Sequence, residues 1–271
     1  MQSHTMSNFA DRLPCHHLRL HVDDGVLTVA FNRPEVLNAL HRPAHEELSH
    51  VFDAFAADPS LRVAIVTGSG PRAFCVGTDL KSLAITGPYD YPPGGFGGLT
   101  TRFDLDKPVI AAVNGLCMGG GVEIVAACDI AVACAHARFA LPEPRVGLAA
   151  LGGGGLQRLA RQAPAKQLMA FALTGLPVDA DAALRLGLVG EVVPEGTSLA
   201  RARAIARAIA ECAPLAITAT RRVILDSVAE PDLARAIGAR YPAAERMLAS
   251  EDAREGPVAF AARRAPRWQG R

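Results

Sequence analysis

The sequence predicts an α/β protein that ends in a helical region. Three observations carry this. Short β-branched runs alternate with helix-compatible segments through the first two thirds of the chain, as parallel strands joined by crossovers do. Several runs are apolar throughout, as strands covered on both faces are. After about residue 195 the strand signals stop and apolar residues recur at helical spacing. At 271 residues the chain holds one large domain, or one domain with a smaller appendage. The organisation expected is a flexible N-terminal extension over 1–14, an α/β core over 15–195 and a helical region over 196–271.

The elements follow in order. His17–Val22 alternates, Asp23-Asp24-Gly25 turns, and Gly25–Phe31 returns, which reads as a hairpin. Asn32-Arg33-Pro34 ends the second strand. Pro43 sits where a first-turn proline is tolerated. Leu48, Val51, Phe52 and Phe55 then recur at helical spacing, predicting a helix to about Ala57. A strand over Arg62–Thr67 runs into the Gly68-Ser69-Gly70-Pro71 turn. The rhythm returns as a strand over Val109–Val113, a glycine turn, a helix over Val122–Cys128 and a strand over Ile130–Cys134. In the tail, Leu199, Ala202, Ile205, Ala206 and Ile209 form one stripe, and helix-compatible sequence runs from Pro214 to about Ala262. Between these, Thr86–Gly98 carries five glycines, three prolines and three aromatic residues, too many breakers for a long helix or a central strand. It reads either as an ordinary loop or as a lid over a pocket.

Composition narrows the function. Half the residues are hydrophobic and 20% are charged, which excludes a disordered chain. Lys+Arg 28 against Asp+Glu 27 leaves no basic excess for a nucleic acid. No apolar run approaches the length of a membrane span, so no membrane partner is expected. Pro108–Gly121 comes nearest and is interrupted by Asn114 and four glycines. The six cysteines show no C-x-x-C pair, and the first fourteen residues have no apolar core of a signal peptide. A reducing, cytoplasmic location is expected.

Seven of the eight histidines precede residue 51. His45 and His50 are five residues apart, off the i,i+4 spacing of a helical zinc pair, and His41 with His45 lacks an evident third ligand. No metal is expected. There is no G-x-S-x-G elbow and no Walker pattern, and Gly152–Gly155 reads as a tight connection before a helix at Leu156–Gln162. Two segments stand out. Ala73-Phe74-Cys75-Val76-Gly77-Thr78-Asp79-Leu80 passes from a strand end through glycine to a helix start at Asp79, and Asn114–Glu123 places three glycines before a helix. Each offers free backbone N–H groups at a helix N-terminus, and two such donors that converge make an oxyanion hole. Glu123 and Glu143 add carboxyl groups near them.

These motifs resemble the crotonase (enoyl-CoA hydratase/isomerase) superfamily. The resemblance runs through Phe31–Leu40, Ala73–Lys81, Lys107–Gly115, Met118–Glu123, Cys128–Ile130, Phe139–Glu143, Gly153–Leu159, Ala183–Val189 and the tail at Glu251–Phe260, in one order over nearly the whole chain. It implies a spiral of ββα units with a C-terminal helical trimerisation region, a homotrimer or dimer of trimers, and an acyl-CoA thioester substrate. CoA is then part of the substrate and no other cofactor is implied. The resemblance places the oxyanion-hole N–H groups on Thr78 and Gly120. It gives Glu123 the activation of water and Glu143 delivery of the α-proton, and it assigns CoA contacts to Arg33, Val36, Cys75, Gly77 and Asp79. Thr78 stands where alanine is common, Val36 where a smaller residue is, and Ala149-Ala150-Leu151-Gly152 replaces a proline-containing turn. These departures border the acyl pocket. The implied activity is enoyl-CoA hydration, with Δ3/Δ2-enoyl-CoA isomerisation or a carnitinyl-CoA dehydratase-like reaction as alternatives. A non-catalytic CoA- or RNA-binding relative is the reading from another class.

Overall fold

The computed structural model describes residues 9–271, so 1–8 of the expected flexible extension lie outside the described residues. Phe9–Arg12 is a 3-10 helix, and Phe9 packs into the core. Strands β1 (Leu18–Asp23) and β2 (Val26–Phe31) form the expected hairpin. Asp24 and Gly25 both take positive φ, 48° and 75°, the turn an Asp-Gly pair favours between twisted strands. Helix α1 (Arg42–Ala57) starts with Pro43 in its first turn and buries Leu48, Val51, Phe52 and Phe55.

The chain then winds. Strands β3 (Val63–Gly68) and β4 (Ala73–Cys75) lead to α2 (Leu80–Thr86). Strands β5 (Val109–Val113) and β6 (Leu116–Met118) lead to α3 (Gly120–Ala127). Strands β7 (Ile130–Cys134) and β8 (Arg138–Ala140) lead to a 3-10 helix, Glu143–Val146. Next come α4 (Gly155–Gln162), α5 (Ala165–Thr174), β9 (Val178–Asp179), α6 (Ala180–Arg185) and β10 (Glu191–Val193). One sheet orders β1-β2-β3-β5-β7-β10 and the other β4-β6-β8-β9. Each turn of the spiral therefore lays one strand in each sheet. Strands β3 and β5 are buried along almost their whole length, which is why they read as continuous apolar runs.

Helix α3 begins two residues before the predicted start. Gly120 and Gly121 are poor helix formers that hide it, but the packing demands them: a side chain on Gly121 would overlap the Cys75 carbonyl. The tail comprises α7 (Ser198–Ala210), α8 (Pro214–Ala229), α9 (Leu233–Gly238), α10 (Pro242–Ala249) and α11 (Glu251–Ala261). Its first helix is part of the body. Ala202 and Ala206 of α7 pack against Val26, Val63, Ile65, Ile110 and Ala112 of the larger sheet. Arg221 and Arg222 of α8 then reach back to Asp129 and Asp106, at 2.8 and 2.7 Å.

Candidate active site

Strands β4, β6 and β8 are parallel neighbours in the smaller sheet. Whatever follows each of them is therefore gathered at one edge, the carboxyl ends of the strands. After β4 come Gly77, Thr78 and Asp79; after β6, Gly119 and Gly120; after β8, Leu141, Pro142 and Glu143. Sequence positions far apart meet because the spiral advances by one strand per turn.

Two backbone N–H groups are left open here. Leu40 bridges to the segment after β4: its N–H donates to the Gly77 carbonyl at 2.8 Å, and its carbonyl accepts from Asp79 N–H at 2.8 Å. In a pleated pairing the N–H between those two contacts points the opposite way, so Thr78 N–H faces the site. Gly119 N–H donates to the Ala140 carbonyl, while Gly120 begins α3 and its N–H is one of the orphans of a helix start. Neither Thr78 N–H nor Gly120 N–H meets a protein acceptor among the described residues. Gly77, at φ 89°, brings the two strands together: a side chain there would come within 2.9 Å of Gly120 N.

The two glutamates are held differently. Glu123, in the first turn of α3, is 3% exposed. Its Oε1 accepts from Gly153 N–H at 2.9 Å and Gly155 N–H at 3.1 Å. Arg158 braces that glycine loop by donating to the Gly153 carbonyl at 2.8 Å and the Thr100 carbonyl at 2.6 Å. The glycine run that reads as a plain connection is thus the seat of a carboxylate. Glu143 lies across the site, its Oε1 2.8 Å from the point a Gly119 side chain would occupy. Its Oε2 is buried and without a partner. Burial pushes its carboxyl above the ordinary glutamate range, a bond from its own N–H opposes this, and the Glu123 charge raises it further.

The segment expected as loop or lid lies over this site. Phe96 is buried with its ring against Gly120, where an added Cβ would overlap it. Tyr91 packs edge-on to Phe96 and His45, with ring centroids 5.5 and 5.0 Å apart. His45 of α1, weighed above with His41 as a metal pair, is fully buried and accepts the Gly97 N–H on Nδ1 at 3.0 Å. Desolvation, and then the neighbouring His41, lower it to about 4, so it stays neutral with the proton on Nε2. Sequence reasoning assigned no site role to His45, Tyr91, Phe96 or Arg158. Their signal was the aromatic content of Thr86–Gly98, which does not say where a loop lands.

The residues expected at CoA fall into two groups. Arg33 is not a free loop charge: its guanidinium meets Asp79 Oδ2 at 2.9 Å and the Ala39 carbonyl at 2.6 Å. Asp79 also caps α2 by accepting Ser82 N–H at 3.1 Å. Its burial favours the neutral acid, but the cap and Arg33 together hold its carboxyl below the usual range. Val36 closes a short 3-10 turn, Pro34–Val36, and is half-buried. Cys75 points into the core, its thiol pushed up to about 12 by burial, and Gly77 N–H donates to its sulfur at 3.4 Å. Arg33, Val36 and Asp79 thus stand together beside the site, while Cys75 and Gly77 shape it from behind.

Known proteins resemble this chain over nearly its whole length. The family model for enoyl-CoA hydratase/isomerase matches residues 21–271. The chain is 41% identical over 265 residues to the carnitinyl-CoA dehydratase of Proteus mirabilis (strain HI4320), covering 94% of this chain and 98% of that one. It is 40% identical to that of Escherichia coli (strain K12), again over 94% and 98%. Among solved structures, an enoyl-CoA hydratase from Mycobacterium tuberculosis H37Rv superposes with a TM-score of 0.87 at 38% identity, covering 94% and 99%. A carnitinyl-CoA hydratase from Mycobacterium avium gives 0.74 at 37% identity, covering 95% and 100%. By sequence and by architecture, the chain belongs to the enoyl-CoA hydratase/isomerase family.

Proposed function

We propose that the protein catalyses reversible hydration of the 2,3 double bond of a 2-enoyl-CoA. The observation that carries this reading is the convergence of two unengaged N–H groups with two carboxyl groups in opposite settings. The thioester carbonyl would accept from Thr78 N–H and Gly120 N–H, which would hold the enolate-like charge as it forms. Glu123, seated on two N–H donors, would take a proton from water as its oxygen bonds to Cβ. Glu143, whose setting favours the protonated acid, would deliver a proton to Cα. The proton on Glu123 then returns to Glu143 through solvent, and dehydration runs the same steps backwards. CoA would lie beside Arg33, Val36 and Asp79, with Cys75 and Gly77 contributing backbone, and no further cofactor enters the scheme.

A carnitinyl-CoA dehydratase-like substrate is the second reading, favoured by the relatives of that name at about the same identity. That thioester carries a quaternary ammonium, a group that aromatic faces attract, and Tyr89 and Tyr91 are the partly exposed rings at hand. We also propose a homotrimer or dimer of trimers, which would cover the exposed Leu148, Leu151, Met169 and Leu173. The test follows loss of enoyl-thioester absorbance over short, long, branched, aromatic and quaternary-ammonium 2-enoyl-CoAs, with Glu143→Gln beside the wild type. Loss with the wild type alone, with water found in the product, is the expected result. No loss on any member would overturn the hydratase reading.

A further inference from the structure

We propose that Tyr91 is a third polar group of the reaction centre, whose phenolic hydroxyl holds, together with Glu123, the water that is added to or removed from Cβ. The inference rests on the hydratase reading of this site and adds a residue to it. The observations concern where the ring is fixed and what its hydroxyl faces.

The segment that carries Tyr91 is stapled rather than loose. Thr101 Oγ1 donates to the Pro93 carbonyl at 2.6 Å, Gly95 N–H to the Pro92 carbonyl at 2.7 Å, and Gly97 N–H to His45. The Tyr91 ring stands edge-to-face against three neighbours, His45, Phe96 and Tyr89, at 5.0, 5.5 and 5.7 Å between centroids. This packing sends the hydroxyl toward Gly152, where it lies 3.5 Å from the point a Gly152 side chain would occupy. Glu123 Oε2 lies 3.7 Å from that same point.

The small gap that Gly152 leaves is thus rimmed by a phenol and by one carboxylate oxygen. That oxygen is the free one, because Gly153 and Gly155 both bond to Oε1. A water in the gap would donate one proton to Glu123 Oε2 and accept from the Tyr91 hydroxyl, leaving a lone pair for Cβ. Burial, and then the Glu123 charge, raise the phenol above its ordinary value while Thr78 opposes this, so Tyr91 remains a donor at neutral pH. No proton passes through it. Glu123 takes the proton of water, the O–Cβ bond forms, and Glu143 supplies the hydrogen at Cα. In the reverse direction the phenol donates to the departing hydroxyl oxygen. A tyrosine kept for packing alone would gain nothing by turning its hydroxyl to a buried carboxylate.

The test separates this role from support of the segment. Wild type, Tyr91→Phe and Gly152→Ala are compared in two assays: hydration of the best 2-enoyl-CoA, and exchange of the α-proton of a saturated acyl-CoA in deuterated water. Exchange needs the N–H pair and Glu143 but no water at Cβ. Tyr91→Phe is expected to lower kcat for hydration roughly ten- to a hundredfold, with KM and α-exchange within about twofold. In Gly152→Ala the methyl group makes only ordinary contacts with both oxygens, so the chain folds with the gap filled. It should lose hydration and keep exchange, and the double variant should fall little further than either single one. Hydration at the wild-type rate in Tyr91→Phe would overturn the proposal, and so would a parallel loss of hydration and exchange. A wild type that exchanges the α-proton yet hydrates no 2-enoyl-CoA would overturn the hydratase reading itself.

Discussion

The two glutamates stand at equivalent places in successive turns of the spiral, after β6 and after β8, yet the chain treats them differently. Glu123 sits in a regular helix and is clasped by two backbone N–H groups on a glycine loop braced by Arg158. Glu143 sits in a 3-10 turn between two prolines, its outer oxygen buried and unpartnered. The first setting gives one carboxyl oxygen two N–H donors, and the second, through burial, raises the carboxyl toward the acid. The difference teaches that a site able to give and take protons at one pH needs two carboxyl groups in unlike surroundings.

The sharpest way to break the comparison is to remove the acid. Glu143→Gln keeps the size and cannot give up a proton, so turnover should fall by about 10²–10⁴ in a 2-enoyl-CoA absorbance assay with the fold unchanged. An activity within a few-fold of wild type would show that Glu143 does not supply the α-proton. Stability should rank the two sites the other way. Glu123→Ala strands two buried N–H donors, each costing about 1–3 kcal/mol, whereas Glu143→Ala strands none. Urea melts should therefore show the larger loss at Glu123, and equal losses would refute the clasp.

pH sharpens the same contrast. Because the Glu143 carboxyl is raised, the hydration rate should fall as pH rises through that elevated pKa. Dehydration also starts from the pair holding one proton, and the overall reaction takes up none, so its rate should fall over the same window. The folded state gains from the protonated acid below the unfolded pKa and loses that gain as pH climbs through the folded one. His45 works in the opposite sense. Its folded pKa of about 4 is depressed, so its contribution is present above the unfolded value near 6.5 and is lost as pH falls toward 4. Replacing His45 with leucine should flatten the melting temperature across that acid window, and an unchanged slope would refute the assignment. The smallest effect is expected at Arg33→Ala. It frees Asp79 and should raise KM a few-fold with little change in kcat.

Much of the spiral was legible in the sequence, for reasons visible in particular residues. Val109–Val113 and Ile130–Cys134 read as strands to the residue because the first is covered on both faces and the second nearly so, with a proline or asparagine marking the ends of the first. The Asp24-Gly25 turn announced its hairpin through the backbone conformation it prefers. The resemblance supplied Thr78, Gly120, Glu123 and Glu143, and folding brings these four to one strand edge. What stayed hidden depends on contacts between distant segments. No local pattern says that Gly153 and Gly155 clasp Glu123, or that Phe96 lies on Gly120. The apolar stripe of α7 likewise shows a buried face but not that its partner is the sheet.

The winding of the chain has a consequence for how activity arises during folding. Thr78, Gly120 and Glu143 ride on three successive turns, and the glycine loop that seats Glu123 follows the third. A chain wound through two turns carries Thr78 and Gly120, but it has neither Glu143, the proposed acid, nor the loop that seats Glu123, the proposed base. On the proposed mechanism, a chain at that stage would convert no thioester. Refolding followed by turnover should therefore show the catalyst completed by the last segments to dock.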